Sequence, residues 1–251
     1  MNLLSILLLL FLATSCSSPT FVEVQPMLQT ATCAEEQIDI PESPCKPVQR
    51  KLIILDPGHG GKDLGAQSSK PPKYQEKFLN LSTAKIVKTY LEYLGYAVIL
   101  TREEDEFVEL KERAHFANNF RPDLFVSIHY NSAPNKSAEG IEIFYYREEE
   151  NKSRTDSSKA LAQAILQRML VQTDAKSRGV KHGDLAVIRE TDMPAVLVEG
   201  GFLTHASECQ KIKTASYLKK LSWGIAQGID DYLKTNDKVV KLTTSSRSSG
   251  G

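Results

Sequence analysis

Alternation constrains this chain most. Short apolar runs of the kind that form buried strands occur at "KLIILD" (51–56), "YAVILT" (96–101), "LFVSIH" (124–129), "GIEIFYY" (140–146), "LAVIR" (185–189) and "AVLVEG" (195–200). Between them, helical periodicity appears over 76–94, 107–119, 158–172 and 216–233, where for example Leu161, Ile165, Met169 and Leu170 fall on one face. Strands that alternate with helices of this length predict an α/β domain. Its sheet would be mostly parallel and twisted, with about six strands and helices on both faces. No internal repeat competes with that reading.

In an open α/β sheet, functional groups gather just beyond the C-terminal ends of the strands. The first run ends in "LDPGHGGKDLGA" (55–66), the third in "IHYNSA" and the last in "VEGGF". They bring His59, His129 and Glu199 to one sheet edge, and Glu76 opens the helix after the glycine-rich turn. Gly58, Gly60 and Gly61 allow that turn to be tight, which aims His59 toward His129. Singly, each group has an ordinary reading: a turn histidine, a satisfied core histidine, a glutamate favouring a helix N-terminus. Together they match the two-histidine, one-carboxylate set of catalytic zinc, which leaves a position open for water. Zinc makes hydroxide available near neutral pH. A second, unligated carboxylate can then carry the proton to a leaving nitrogen. His59, Glu76 and His129 are therefore assigned to Zn2+ and Glu199 to proton transfer. An acid directly after "AVLV" is costly unless paired or useful.

The flanks differ from this domain. "LLSILLLLFLATSCSS" has the length of a signal-peptide core, though without a basic start, and its small residues lead into Cys16. It is similar to a bacterial lipoprotein signal, in which that cysteine is acylated; the alternative is an ordinary cleaved signal, and either exports the mature chain. Residues 1–16 are thus expected to be the signal, 17–49 a polar, Pro-bearing tether, 50–235 the catalytic domain and 236–251 a flexible tail. Cys33 and Cys45 lie close enough in sequence to pair in an oxidising compartment. No C-x-x-C spacing suggests a thiolate zinc site. Equal numbers of basic and acidic residues, 31 each, argue against a nucleic-acid partner.

The segments "LDPGHGGKDLGA", "EKFLNLSTAKIVKTYLEYLGYAVILTREEDEFVEL", "DLFVSIHYNSA", "GIEIFYY" and "MPAVLVEGGFLTHASE", in this order over 51–233, resemble the zinc-dependent N-acetylmuramoyl-L-alanine amidases of bacterial cell-wall remodelling. The resemblance implies hydrolysis of the amide joining muramic acid to L-alanine in peptidoglycan or its muropeptides, in the service of cell separation. It places zinc on His59, Glu76 and His129 and the catalytic carboxylate on Glu199. With the N-terminal signal, the protein is expected to be a periplasmic monomer held to a membrane by lipid. Where some members carry a long inhibitory helix, this chain has only "REEENKSRTDS", so activity without an activator is expected. Gly200, His205 and the stretch "QSSKPPKYQ" depart from the family pattern and bear on substrate preference. His205 also reads as a surface helix cap, His115 as a helix residue and His182 as a loop residue.

Two other functions are carried. Ser82 and Lys85 fit the S-x-x-K pattern of penicillin-binding enzymes, in which serine is the nucleophile. That suggests a serine carboxypeptidase acting on stem peptides as a main or second activity, with Ser82 near the zinc cleft. Ser216 and Lys219 fit equally well, and no K-T-G partner exists. A non-catalytic peptidoglycan-binding lipoprotein is the non-enzyme alternative, opposed by the intact set of metal-ligand residues.

Overall fold

A computed structural model describes residues 50–248. Cys16, Cys33, Cys45 and the expected signal and tether lie outside these residues. The elements are β1 (Leu52–Pro57), α1 (Glu76–Tyr93), β2 (Ala97–Leu100), α2 (Leu110–Phe120), β3 (Leu124–Asn131), β4 (Ile141–Tyr145), α3 (Lys152–Thr173), β5 (Ser177–His182), α4 (Ala186–Arg189), β6 (Ala195–Phe202), α5 (Ala206–Ile212) and α6 (Ala215–Ser248).

The strands form a 6-stranded sheet in the order β2-β1-β3-β6-β4-β5. β2, β1, β3 and β6 run parallel, whereas β4 is antiparallel to β6, and β5 follows β4. The sheet is thus mostly parallel, as expected, with a reversed pair at one edge.

Helices cover both faces unequally. On one face Ile53, Leu55, Val126, Ile128, Val196 and Val198 pack against α1, α3 and α6. On the other, Ile54, Phe125, Ala195 and Leu197 meet a smaller layer, Phe116 and Ala117 of α2 and the residues around α4. The thick layer is tight: a Cβ added at Gly228 of α6 would lie 2.3 Å from the Ile165 Cα of α3. Glycine there lets the two helix backbones meet. At α2, Glu109 and Glu112 form a reciprocal capping box, which satisfies backbone donors that the first turn leaves open.

The structure corrects four sequence expectations. "LAVIR" is not a strand but the short helix α4, whose Val187 and Ile188 are buried on the thin face. A short apolar run does not by itself distinguish strand from buried helix. The strand at that point is "SRGVKH", a polar edge strand without a buried residue, and it includes His182, expected in a loop. Helix α5 was not anticipated. Finally, α6 continues past residue 235 to Ser248, where a flexible tail was expected. No proline follows Ala215 to stop it.

Candidate metal centre

The site begins with a strained turn at the end of β1. Asp56 is fully buried, and its carboxylate accepts hydrogen bonds from Arg113 at 2.8 Å, Ser127 at 2.7 Å and Thr101 at 2.5 Å. Burial alone would raise this carboxyl, but the Arg113 charge and the hydrogen bonds outweigh it and hold it below the usual range. Arg113 also donates to the carbonyls of Pro57 and His59, while Arg102 donates to those of Pro57 and Gly58. Two buried guanidinium groups therefore grip the backbone that follows. That grip matters because His59 has φ of 60°, a left-handed conformation costing about 1–2 kcal/mol for a residue with a Cβ. A Cβ at Gly58 would fall 2.0 Å from the His129 ring. Glycine thus lets the turn pass directly over that imidazole.

Glu76, buried at the start of α1, stands between the two histidines. Its Oε2 lies 3.1 Å from His59 Nε2, and its Oε1 lies 2.9 Å from His129 Nδ1. Backbone N–H groups of Ala66 and Tyr130 and the Asn80 amide also donate to this carboxylate, at 2.8, 3.1 and 3.2 Å. Burial pushes Glu76 up, but its hydrogen bonds with His129 and His59 dominate and bring it far below the ordinary carboxylate range. Burial pulls His59 down, yet Glu76 and then Asp63 more than reverse this, so the imidazole sits above its ordinary value. Asp63 Oδ2 lies 2.8 Å from His59 Nδ1, which orients the ring and leaves Nε2 facing Glu76. One ligand atom from each of His59, Glu76 and His129 lies within 4.8 Å of the others. Two imidazoles and one carboxylate, with a carboxylate behind one ring, form a donor set that fits Zn2+.

Glu199 lies beside this cluster. It is the register partner of His129 across the β3–β6 ladder. On its other side it faces Glu142 of β4. Its Oε2 is buried without a hydrogen-bond partner. Burial, and then the negative charges of Glu76 and Glu142, push its carboxyl well above the ordinary value. A buried, unpartnered carboxyl oxygen beside two imidazoles and a second carboxylate is a group that can carry a proton.

A family model for N-acetylmuramoyl-L-alanine amidases matches residues 53–231. This chain belongs to that amidase family. The amidase is 37% identical over 188 residues to the N-acetylmuramoyl-L-alanine amidase LytC of Bacillus subtilis, covering 75% of this chain and 36% of LytC. It is 35% identical over 194 residues to the uncharacterized protein YqiI of the same organism, covering 76% of this chain and 90% of YqiI. Among solved structures, an N-acetylmuramoyl-L-alanine amidase from Clostridium difficile 630 superposes with a TM-score of 0.70 at 40% identity. That match covers 74% of this chain and 97% of the other.

Other residues singled out in the sequence fall elsewhere in this amidase. Ser82 and Lys85 are exposed on the outer side of α1, away from the inward-facing Glu76, Asn80 and Thr83, and share no hydrogen bond. Their helical spacing turns them from the cleft, contrary to the expectation for Ser82. Ser216 and Lys219 are likewise exposed on α6. His205 caps α5, its Nδ1 accepting from the Glu208 N–H at 3.3 Å. His182 Nδ1 accepts from the Arg147 N–H at 3.0 Å, and His115 is exposed on α2. Sequence reasoning overlooked Asp63, Asn80 and Glu142. The i, i+4 spacings of His59 with Asp63 and of Glu76 with Asn80 were available signals. Glu142 gave none, because it reads as a solvent-facing position in an alternating strand.

Proposed function

We propose that this chain hydrolyses, with zinc, the amide bond between N-acetylmuramic acid and L-alanine in peptidoglycan. The observation that carries the reading is the convergence of His59, Glu76 and His129 beside the unpartnered Glu199 oxygen. His59, Glu76 and His129 would hold the metal. When bound, zinc would supply Lewis-acid polarisation of the scissile carbonyl and lower the pKa of a water molecule. Glu199 takes the proton from the attacking water. As the C–N bond breaks, Glu199 returns that proton to the alanine nitrogen, so a lactyl carboxylic acid and a free amine result. Asp63 keeps the His59 ring oriented, and Arg102 and Arg113 hold the turn that carries it.

Catalysis needs no activator in this reading. Only residues 146–151 separate β4 from α3, too few for an inhibitory helix. Among the described residues no helix is long and apolar enough to cross a membrane. On the apolar run and the small residues that lead into Cys16, membrane attachment is assigned to lipid on that cysteine, with the monomeric enzyme exported and acting in cell-wall remodelling and cell separation. Fractionation of wild type and Cys16→Ala, with intact-mass analysis of the N-terminus, tests the anchor.

Mass analysis of products from purified peptidoglycan tests the activity, with and without a metal chelator and with no partner added. Free stem peptides beginning with L-alanine, lost on chelation and restored by zinc, are expected. Release of only a terminal amino acid, insensitive to chelator and blocked by a β-lactam, would replace this reading with a serine carboxypeptidase.

A further inference from the structure

The row of side chains that contains the site does not end at Glu199. His129, Glu199 and Glu142 are successive partners across β3, β6 and β4, so they share one face of the sheet. Glu142 is only 5% exposed. Its Oε2 accepts from Arg178 Nε at 2.9 Å and Lys181 Nζ at 2.5 Å, and its Oε1 accepts from the Asn131 amide at 2.6 Å. One buried carboxylate thus anchors two cations, leaving an excess positive charge beside the site. The Arg178 guanidinium lies over the Phe202 ring at 4.9 Å. Its Nη1 has a long contact to the Glu139 carbonyl, 3.5 Å. The Arg178 and Lys181 side chains remain 35% and 40% exposed, so both heads retain donors facing solvent. A pair built for stability alone would match its charges, and partly exposed pairs contribute little in any case.

We propose that Arg178 and Lys181 form a carboxylate-binding subsite that holds the free α-carboxylate of the D-isoglutamate following L-alanine in the stem peptide. This deepens the amidase reading and rests on it. Glu199 returns its proton to the alanine nitrogen, so that nitrogen lies at Glu199 and the peptide leads away from it. An extended chain advances about 3.3–3.6 Å per residue, and neighbouring strands lie about 4.7–4.9 Å apart. A peptide that leads from Glu199 toward β4 and β5 brings the carboxylate of its next residue level with cations one to two strands away, where Glu142 holds Arg178 and Lys181. Arginine suits this task because its planar fork matches a carboxylate and stacking on Phe202 orients it in advance. Glu142 is a positioning residue: it holds the cations without touching substrate.

The test uses two tripeptides, L-Ala-γ-D-Glu-L-Lys and its D-isoglutamine counterpart, which differ only in carboxylate against amide. Their affinities are measured by calorimetry on the zinc-loaded wild type, Arg178→Gln, Arg178→Lys and Lys181→Met. In parallel, hydrolysis of the corresponding muramoyl peptides is measured, with zinc content and melting temperature as checks on folding. Wild type is expected to favour the acid by roughly tenfold or more, as charge-assisted hydrogen bonds to one carboxylate allow. The preference should fall toward one in Arg178→Gln, and Arg178→Lys should recover part of it. Equal affinities in wild type, or a preference untouched in both Arg178→Gln and Lys181→Met, would overturn the subsite. Discrimination between the tripeptides without hydrolysis of either muramoyl peptide would keep the subsite and overturn the amidase reading instead.

Discussion

The two faces of the sheet are made by the same strands and diverge within a few residues. On the face under α1, α3 and α6, side chains stay apolar to the strand ends: Ile53 and Leu55, Val126 and Ile128, Val196 and Val198. On the face under α2 and α4 each series turns polar as it nears the C-terminal edge. Ile54 gives way to Asp56, Phe125 to Ser127 and then His129, and Leu197 to Glu199. One alternation of period two thus supplies a core on one side and chemistry on the other. Glu76 then reaches across from the start of α1 to complete the cluster. Changes on the thin face should therefore remove function while sparing the fold, and changes on the thick face should do the reverse.

The sharpest break in that contrast is His129→Ala. A histidine and a carboxylate alone hold zinc poorly, so bound zinc and amidase activity should vanish together while the circular dichroism spectrum stays native. Full zinc occupancy in this variant, read by elemental analysis, would sink the ligand assignment.

Glu199→Gln comes next. Removing a general acid–base group costs roughly 10²–10⁴-fold in turnover, and zinc content should be unchanged. Its stability carries a second signature. A carboxyl held above its ordinary value in the fold, as Glu199 is above 4.5, stays protonated after the unfolded chain has ionised. Metal-free stability therefore declines as pH rises above about 4.5 toward the folded value. Glutamine removes that slope, so the metal-free variant should melt at or above wild type at neutral pH. A near-normal rate would place Glu199 outside the chemistry, and a lower melting temperature would show that its carboxylate has a partner.

The contrast between faces also explains what the sequence disclosed. Strong alternation and long amphipathic periods made β1, β3, β6, α1 and α3 readable, and strand ends pointed to His59, His129 and Glu199. Where packing is thin, the signal failed. Edge strand β5 buries nothing and shows no pattern, so the nearby run "LAVIR" carries the stronger strand signal. Strand direction is not written in periodicity, so the reversal of β4 and β5 was invisible. With it went the pairing of Glu142 with Glu199. Helix α6 outran its expected end because the polar residues after 235 read as tail while nothing among them stops a helix.

On the thick face, Ile225→Ala should invert the result. Ile225 is fully buried, and deleting most of such a side chain costs roughly 2–5 kcal/mol, because the transfer term is lost and a cavity remains. Several degrees of melting temperature should be lost, with kcat and zinc affinity unchanged well below the transition. A parallel loss of zinc affinity would mean that the thick layer also sets the geometry of the metal ligands, and the division of labour between faces would fail.

The smallest effect belongs to Asp63, where the contrast can be sharpened rather than broken. This residue stands on the rim, with its side chain 45% exposed. By exposure alone its pair with His59 should be worth little, since surface ion pairs contribute about 0–1 kcal/mol. Its position says otherwise. Asp63 Oδ2 takes the hydrogen bond at His59 Nδ1, and Oδ1 accepts from the Gly65 N–H at 3.1 Å, so one carboxylate fixes both the ring and the loop that returns to Glu76. Groups that orient a metal-binding histidine typically matter by about 10–100-fold in metal affinity. Asp63→Ala should therefore weaken zinc by about that factor in competition with a chelating dye. Turnover at saturating zinc should change much less, because Glu199 and the three ligands remain. The melting temperature of the metal-free chain should hardly move. Unchanged zinc affinity would mean that Arg113, through the His59 carbonyl, orients the ring unaided, and the orienting role would pass from the exposed rim to the buried arginine beneath it.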